Sequence, residues 1–131
     1  MRNKPPKNEQ DEMVLVVSGK IKELIRYAQS FRLRERSLKL LFEPGNRRKA
    51  KAYVNNVPDR LPEDIVTKLI EDRRFDEVAA YIKYNHLGLV NEYMLAQTNS
   101  RELIDSYHHQ WGFRSFMARH YLQENGLVPE F

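Results

Sequence analysis

Apolar residues recur at three- and four-residue steps in nearly every segment from residue 12 onward, and this period constrains the fold more than any other feature. Such steps line one face of an α-helix. In residues 12–29 that face is formed by Val14, Val17, Ile21, Leu24, Ile25 and Ala28. The chain has only 5 glycines and is rich in Leu, Glu, Lys and Arg, which favours helices over turn-dense sheets. The sequence therefore predicts an all-α protein.

Proline, glycine and capping residues divide the chain into helices. A first helix is predicted over 12–29, and a second over 31–43 is ended by Pro44 and the residues after it. Pro58 and Pro62 predict a break between helices, and Pro62 is suited to a first helical turn, where its missing donor is not needed. Asn99 is predicted to cap the helix that ends at Gly112. The chain then holds about seven helices.

The helical segments repeat along the chain. A shift of 28 residues places Leu41 on Leu69 and Tyr53 on Tyr81, and a shift of 25 places Ile65 on Val90 and Val78 on Leu103. A fixed period of this length is typical of stacked helical pairs, because one pair is too small to bury its own apolar face. The alternative is that any run of short amphipathic helices would align in this way. The repeat predicts a shared core that includes Leu69, Val78, Ile82 and Leu103.

Three segments carry this repeat: LLFEPGNRRKAKAYV, KLIEDRRFDEVAAYI and YMLAQTNSRELIDSY. Over residues 31–125 the chain resembles short bacterial α-solenoid proteins of the HEAT-like kind, which are made of two-helix units. The units here are shorter than ordinary HEAT repeats. The resemblance implies a right-handed stack of helical hairpins, an α-α superhelix, that acts as a protein-binding scaffold. It transfers no functional residues.

The domain organisation predicted from composition is simple. Residues 1–11 are expected to form a disordered tail, 12–126 a single helical-repeat domain, and 127–131 a C-terminal tail. No stretch has the roughly 20 apolar residues that a membrane span needs. The longest apolar run, Met13–Val17, is too short for a typical signal peptide, and the chain has no cysteine. We therefore expect a cytoplasmic protein with no membrane partner.

The charge is divided unevenly. Residues 1–51 hold 14 Lys or Arg and 6 Asp or Glu, a net charge of +8, whereas residues 52–131 hold 8 and 12, a net charge of −4. The candidate partner-binding residues of this basic face are Arg32, Arg36, Lys39, Arg48 and Lys51. The first three are spaced to form a row on one helix. Such a row fits a nucleic-acid backbone or an acidic protein, and it fits equally a solvated face that pairs with the chain's own acidic half.

An aromatic series in the C-terminal third is the second candidate surface. Tyr107, Trp111 and Tyr121 fall at positions that match the buried faces, so packing in the core is one interpretation. A partner groove is the other, because Trp and Tyr are favoured anchors at interfaces.

Catalytic and metal sites find little support in the sequence. No two of the four histidines have the i, i+4 spacing of a helical metal pair, and His108, His120 and Glu124 would have to converge through the fold. The acidic pairs lie mostly in first helical turns, where the helix dipole accounts for them. There is no phosphate-binding glycine loop and no serine in a glycine elbow. We therefore expect no cofactor, no metal and no catalytic residue.

The function predicted is a non-enzymatic helical-repeat adaptor that binds a protein or peptide. The alternative is a nucleic-acid-binding accessory protein that uses the basic face of residues 20–51, where 11 Lys or Arg accompany only three acids.

Overall fold

The computed structural model describes residues 8–128, and all regular structure in that range is helical. These residues form one 3-10 turn, Pro44–Asn46, and nine α-helices: α1 Glu9–Ser18, α2 Ile21–Ser30, α3 Glu35–Leu41, α4 Arg47–Asn56, α5 Glu63–Glu71, α6 Phe75–Ile82, α7 Leu89–Gln97, α8 Arg101–Gln110 and α9 Phe116–Glu124. The all-α prediction is confirmed, but the expected count of about seven helices is too low. None of these helices has the length and apolar character needed to cross a membrane.

The predicted helix over 12–29 is wrong, because the chain turns at Gly19. α1 ends at Ser18, and both Gly19 and Lys20 have extended backbone before α2 begins. A Cβ on Gly19 would stand 2.5 Å from the carbonyl oxygen of Leu15, so no larger residue fits this close turn. Residues 9–30 are therefore a helical hairpin and not one helix.

The chain divides into two compact units, Met1–Val57 and Pro58–Phe131. In the first, here the N-terminal unit, α1 packs on α3 and α2 on α4. In the second, the C-terminal unit, α7 packs between α5 and α9, and α6 packs on α8. Within each unit, then, corresponding helices of successive hairpins lie side by side. The division falls where Pro58 and Pro62 predicted a break, and the prediction of a single domain over 12–126 stays a prediction.

The first helix begins inside the predicted tail of residues 1–11. The Asn8 side chain accepts a 2.8 Å hydrogen bond from the backbone N–H of Asp11, which caps α1 and places residues 9–11 in the helix. Residues 1–7, and residues 129–131 of the predicted C-terminal tail, lie outside the described residues.

Two tyrosine hydroxyls establish the register of the repeat. Tyr81 accepts a 3.1 Å hydrogen bond from the backbone N–H of Leu61, and Tyr107 accepts the same bond from Leu87 at 3.0 Å. In the second bond both the donor and the acceptor lie 26 residues further along the chain than in the first. The predicted shift of 25 is therefore one residue too short. The predicted shift of 28 agrees with the first residues of α3 and α5, and of α4 and α6.

The corrected register also includes the first hairpin, which the sequence did not reveal as a repeat. Its matching positions carry a buried leucine in the first helix of each hairpin and a tyrosine in the second: Leu15, Leu41, Leu69 and Leu95, with Tyr27, Tyr53, Tyr81 and Tyr107. Leu69, Val78, Ile82 and Leu103 are all buried, as predicted.

Several residues expected on buried faces are exposed. Val90 was aligned with a core position by the shift of 25, and an error of one residue turns a side chain about 100° around a helix. Val14 and Val17 were placed on the face of a continuous helix that does not exist. Leu15 and Val16 are buried in their place.

The cap of α8 lies one residue beyond the predicted one. The Ser100 side chain, and not that of Asn99, accepts from the Leu103 N–H, while Asn99 has a φ of 59°. Gly112 ends this region as predicted: its φ is 81°, and its N–H bonds to the carbonyl of Tyr107.

Candidate interaction surfaces

A buried carboxylate fastens the loop between the first two hairpins. Glu12 on α1 is 1% exposed. One of its oxygens accepts from the backbone N–H of Arg34 at 2.8 Å, and the other accepts from the Tyr27 hydroxyl at 2.7 Å and the Arg34 guanidinium at 3.2 Å. Arg34 is therefore engaged in holding α2 and the following loop against α1.

The same arrangement occurs in the C-terminal unit. Glu92 accepts from the backbone N–H groups of Arg114 and Ser115 at 2.8 and 2.7 Å, and from the Tyr107 hydroxyl at 2.5 Å. In both copies the tyrosine follows the glutamate by 15 residues and the arginine follows it by 22. Sequence reasoning missed this pair of sites, although the repeated Glu, Tyr and Arg spacing could have revealed it.

Burial and hydrogen bonding affect the acidity of these tyrosines. Burial, together with the bond to Glu92, raises the pKa of Tyr107 well above its ordinary value. Burial also raises the pKa of Tyr81. Both hydroxyl groups are therefore neutral at physiological pH, and both form hydrogen bonds in the core.

The structure does not form the predicted row of Arg32, Arg36 and Lys39. Arg32 precedes α3 in the loop, whereas the other two lie on the helix. Arg36 pairs with Glu9 of α1 at 3.3 Å and Lys39 pairs with Glu35 at 3.4 Å. These pairs use acids of the N-terminal unit, so the acidic half is not needed to neutralise them.

The other two candidate residues of the basic face lie on α4. Arg48 and Lys51 are both exposed there, one helical turn apart. Between them, the Lys49 ammonium donates to the carbonyls of Val16 and Val17 at 2.9 and 2.8 Å, which satisfies the last turn of α1. Part of the basic stretch thus supports the fold, and Arg48 and Lys51 face solvent.

The predicted aromatic surface is not formed by its three residues. Tyr107 is fully buried and presents no surface to a partner. The Trp111 indole N–H donates to the carbonyl of Ile82 at 2.6 Å, and the residue is 39% exposed. Tyr121 is half-buried and donates to Asn99 at 2.8 Å. Core packing and helix-end contacts account for these residues.

An exposed apolar patch lies instead on the first turns of α7 and α9, which pack on each other. We call these four residues the first-turn patch: Leu89 is 57% exposed, Val90 72%, Phe116 75% and Met117 59%. Beside it, Tyr93, Tyr121 and His120 line a shallow groove with the two α9 residues. The shift of 25 residues aligns Val90 with a core position, and only the exposure of these turns reveals the patch.

A metal site at His108, His120 and Glu124 would require these side chains to converge. His120 contacts Glu124 at 3.2 Å on α9, but within residues 8–128 no three His, Asp or Glu side chains are grouped to hold a metal ion.

Comparison with known proteins identifies no relative: no family model, curated protein or solved structure matches the chain.

Proposed function

We propose that the protein is a helical-repeat adaptor that binds a segment of another protein on the first-turn patch. The single observation behind this proposal is the cluster of four large apolar side chains, each more than half exposed, on two adjacent helices. Contiguous exposed apolar surface is uncommon on soluble proteins and marks interaction sites.

The repeat supplies the reason to assign these side chains to binding. The first two residues of α3 are Glu35 and Arg36, and those of α5 are Glu63 and Asp64, all exposed. Charged residues therefore serve at this position in two hairpins of the same design. The matching residues are Leu89 and Val90 in α7 and, because Arg34 corresponds to Arg114, Phe116 in α9. The fold does not require apolar side chains at these positions, so their presence favours contact with a partner.

Charge indicates the kind of segment that would bind. α5 packs beside α7, and its first turn carries Glu63 and Asp64 at the positions that Leu89 and Val90 occupy in α7. Glu63 is paired with Arg60 at 3.1 Å, so the negative charge on this side comes from the C-terminal unit as a whole, which has 8 basic and 12 acidic residues. The complementary partner is an amphipathic peptide whose apolar side chains are followed by Lys or Arg.

Selection from a displayed library of random peptides tests this proposal. We expect the selected sequences to combine apolar residues at helical spacing with an adjacent Lys or Arg. The test variant gives the four residues of the first-turn patch charged side chains: Leu89→Glu, Val90→Asp, Phe116→Glu and Met117→Arg. It should fold normally and lose binding at least tenfold, as measured by calorimetry with a selected synthetic peptide.

A matched control changes exposed valines elsewhere. Val14 and Val17 are 56% and 52% exposed on α1, and Val14→Asp with Val17→Asp should leave peptide affinity unchanged. Equal affinity of the first-turn variant and the unaltered protein would overturn the proposal. So would self-association through this patch, seen by sedimentation as a dimer that the variant abolishes.

Two other sequence predictions accompany this function. The right-handed superhelical stacking and HEAT-like character of the hairpins, and the cytoplasmic location, stay predictions.

A further inference from the structure

A groove of about 540 Å³ in the N-terminal unit has an unusual charge pattern. It lies where the end of α1 meets the beginnings of α2 and α4. Its four charged residues are all basic: Lys20, Lys22, Arg48 and Lys49. The rest of its lining is apolar or neutral, with no acidic side chain.

Three of these cations have no acidic partner. Within residues 8–128, Lys20, Lys22 and Arg48 form no salt bridge, in contrast to Arg36 and Lys39 nearby. The Lys49 ammonium bonds to two backbone carbonyls, which hold it in place but leave its charge uncompensated. Gathering four like charges around one concavity opposes folding unless an anion relieves the repulsion.

A larger groove in the C-terminal unit provides the comparison. It has a volume of about 760 Å³, and its cations Lys83 and Arg101 are accompanied by Glu102 and Asp105. Arg101 lies 3.9 Å from Asp105. The charges of the C-terminal groove are therefore balanced, whereas the N-terminal groove has an excess of positive charge.

The backbone around the groove adds to its positive potential. Neither α2 nor α4 has a side-chain cap at its first turn, because Lys20 stands at one cap position and the Asn46 amide donates instead to the carbonyl of Leu40. Uncapped amide N–H groups carry partial positive charge and can donate to an anion. They supplement the cations here, which supply most of the field.

From this charge pattern we propose that the groove binds a phosphate-bearing ligand. Lys20, Lys22 and Arg48 contact the phosphate oxygens, and Lys49 contributes charge from its fixed position. The ligand is either a free phosphate compound or one stretch of a nucleic-acid backbone, since both present the same oxygens. This site is separate from the first-turn patch, and neither proposal depends on the other.

Two probes distinguish the sources. Inorganic pyrophosphate and a fluorescent 12-nucleotide oligo-dT are titrated against the full chain at several salt concentrations. If the ligand is a nucleic-acid backbone, the oligonucleotide binds much more tightly than pyrophosphate. Its log K then falls with log salt with a slope of about −2, because three cations each release about 0.7 counterion on a single strand. If it is a free phosphate compound, pyrophosphate binds as tightly as the oligonucleotide.

Matched triple variants make the test specific to the groove. The groove variant is Lys20→Gln, Lys22→Gln and Arg48→Gln, and it should lose at least tenfold in affinity for the probe that binds. The control variant is Arg26→Gln, Lys68→Gln and Arg119→Gln, which removes three exposed cations outside the groove. It should lose less than threefold.

Circular dichroism establishes that both variants fold, and the probe that binds should raise the melting temperature of the control but not of the groove variant. If neither probe binds, or if both variants lose the same affinity, the proposal is overturned.

Discussion

The Tyr107 hydroxyl donates a 2.5 Å hydrogen bond to Glu92 while it accepts a 3.0 Å bond from the backbone N–H of Leu87. One side chain of α8 thereby connects α7 to the loop before it. Glu92 in turn accepts from the backbone of the loop before α9. Tyr27 and Glu12 make the corresponding bond in the N-terminal unit. These hydrogen bonds hold the loops that join successive hairpins in one position. Apolar packing is less directional and would constrain these loops less.

Removing this carboxylate should destabilise the protein strongly. Glu92→Ala leaves two backbone N–H groups and the Tyr107 hydroxyl without their acceptor, and a buried unsatisfied donor costs about 1–3 kcal/mol. We expect a loss of about 3 kcal/mol or more in the free energy of unfolding, measured in urea. Glu102→Ala changes an exposed glutamate and should alter stability by less than about 0.5 kcal/mol. A similar small effect at Glu92 would mean that the network does not form.

The raised pKa of Tyr107 predicts a loss of stability in alkaline solution. The folded protein holds this proton above the ordinary tyrosine pKa of 10.0, so its contribution is fully present below that pH. Above it, the unfolded chain ionises first, and the free energy of unfolding should fall as pH rises. Tyr107→Phe should reduce this fall between pH 9.5 and about 11, although the variant is less stable at pH 7. Parallel curves for the two proteins would contradict the assignment.

Gly19→Ala should destabilise the first hairpin. The added Cβ would meet the Leu15 carbonyl oxygen and side chain at 2.5 Å, so the turn between α1 and α2 must open. A cost of about 1–3 kcal/mol is expected from such overpacking. Gly45→Ala provides the control, because its Cβ would have no atom within 4 Å. Equal melting temperatures for the two variants would show that the turn accommodates a side chain.

The corrected register predicts opposite outcomes at two apolar positions. Leu69→Ala removes a side chain that is 1% exposed and should cost about 2–5 kcal/mol. Val90→Ala removes one that is 72% exposed and should cost less than about 0.5 kcal/mol. Urea denaturation of both variants measures the difference. A large effect at Val90 would favour the 25-residue shift over the 26-residue shift found in the structure.

Replacing Arg32, Arg36 and Lys39 together with alanine should have only a small effect on stability. The pairs of Arg36 with Glu9 and Lys39 with Glu35 are exposed, and such pairs contribute at most about 1 kcal/mol each. Thermal unfolding at low and high salt measures the loss, which should shrink as salt screens the pairs. A loss of several kcal/mol would show that these residues support the fold in a way the two pairs do not explain.

The sequence by itself determined the helical class, the break near Pro58 and Pro62, and the 28-residue shift between the second and third hairpins. These features depend on local physics: apolar period, missing proline donors and neighbours in the same helix. It also identified Leu69 and Val78 as core residues, since each lies on a face that any helix of that sequence would bury.

Only the tertiary structure decided what the charged and aromatic residues do. Glu12 and Arg34 are distant in sequence, and their contact depends on α1 and α3 lying side by side. The turn at Gly19 is local, since Gly19 lies four residues after Leu15, but the longer apolar period of 12–29 concealed it in the sequence. Side chains such as Val90 and Tyr107 are both apolar enough for a core, and whether a neighbouring helix covers them is a property of packing. For that reason the helical class could be predicted from the sequence, whereas the burial of these individual side chains could not.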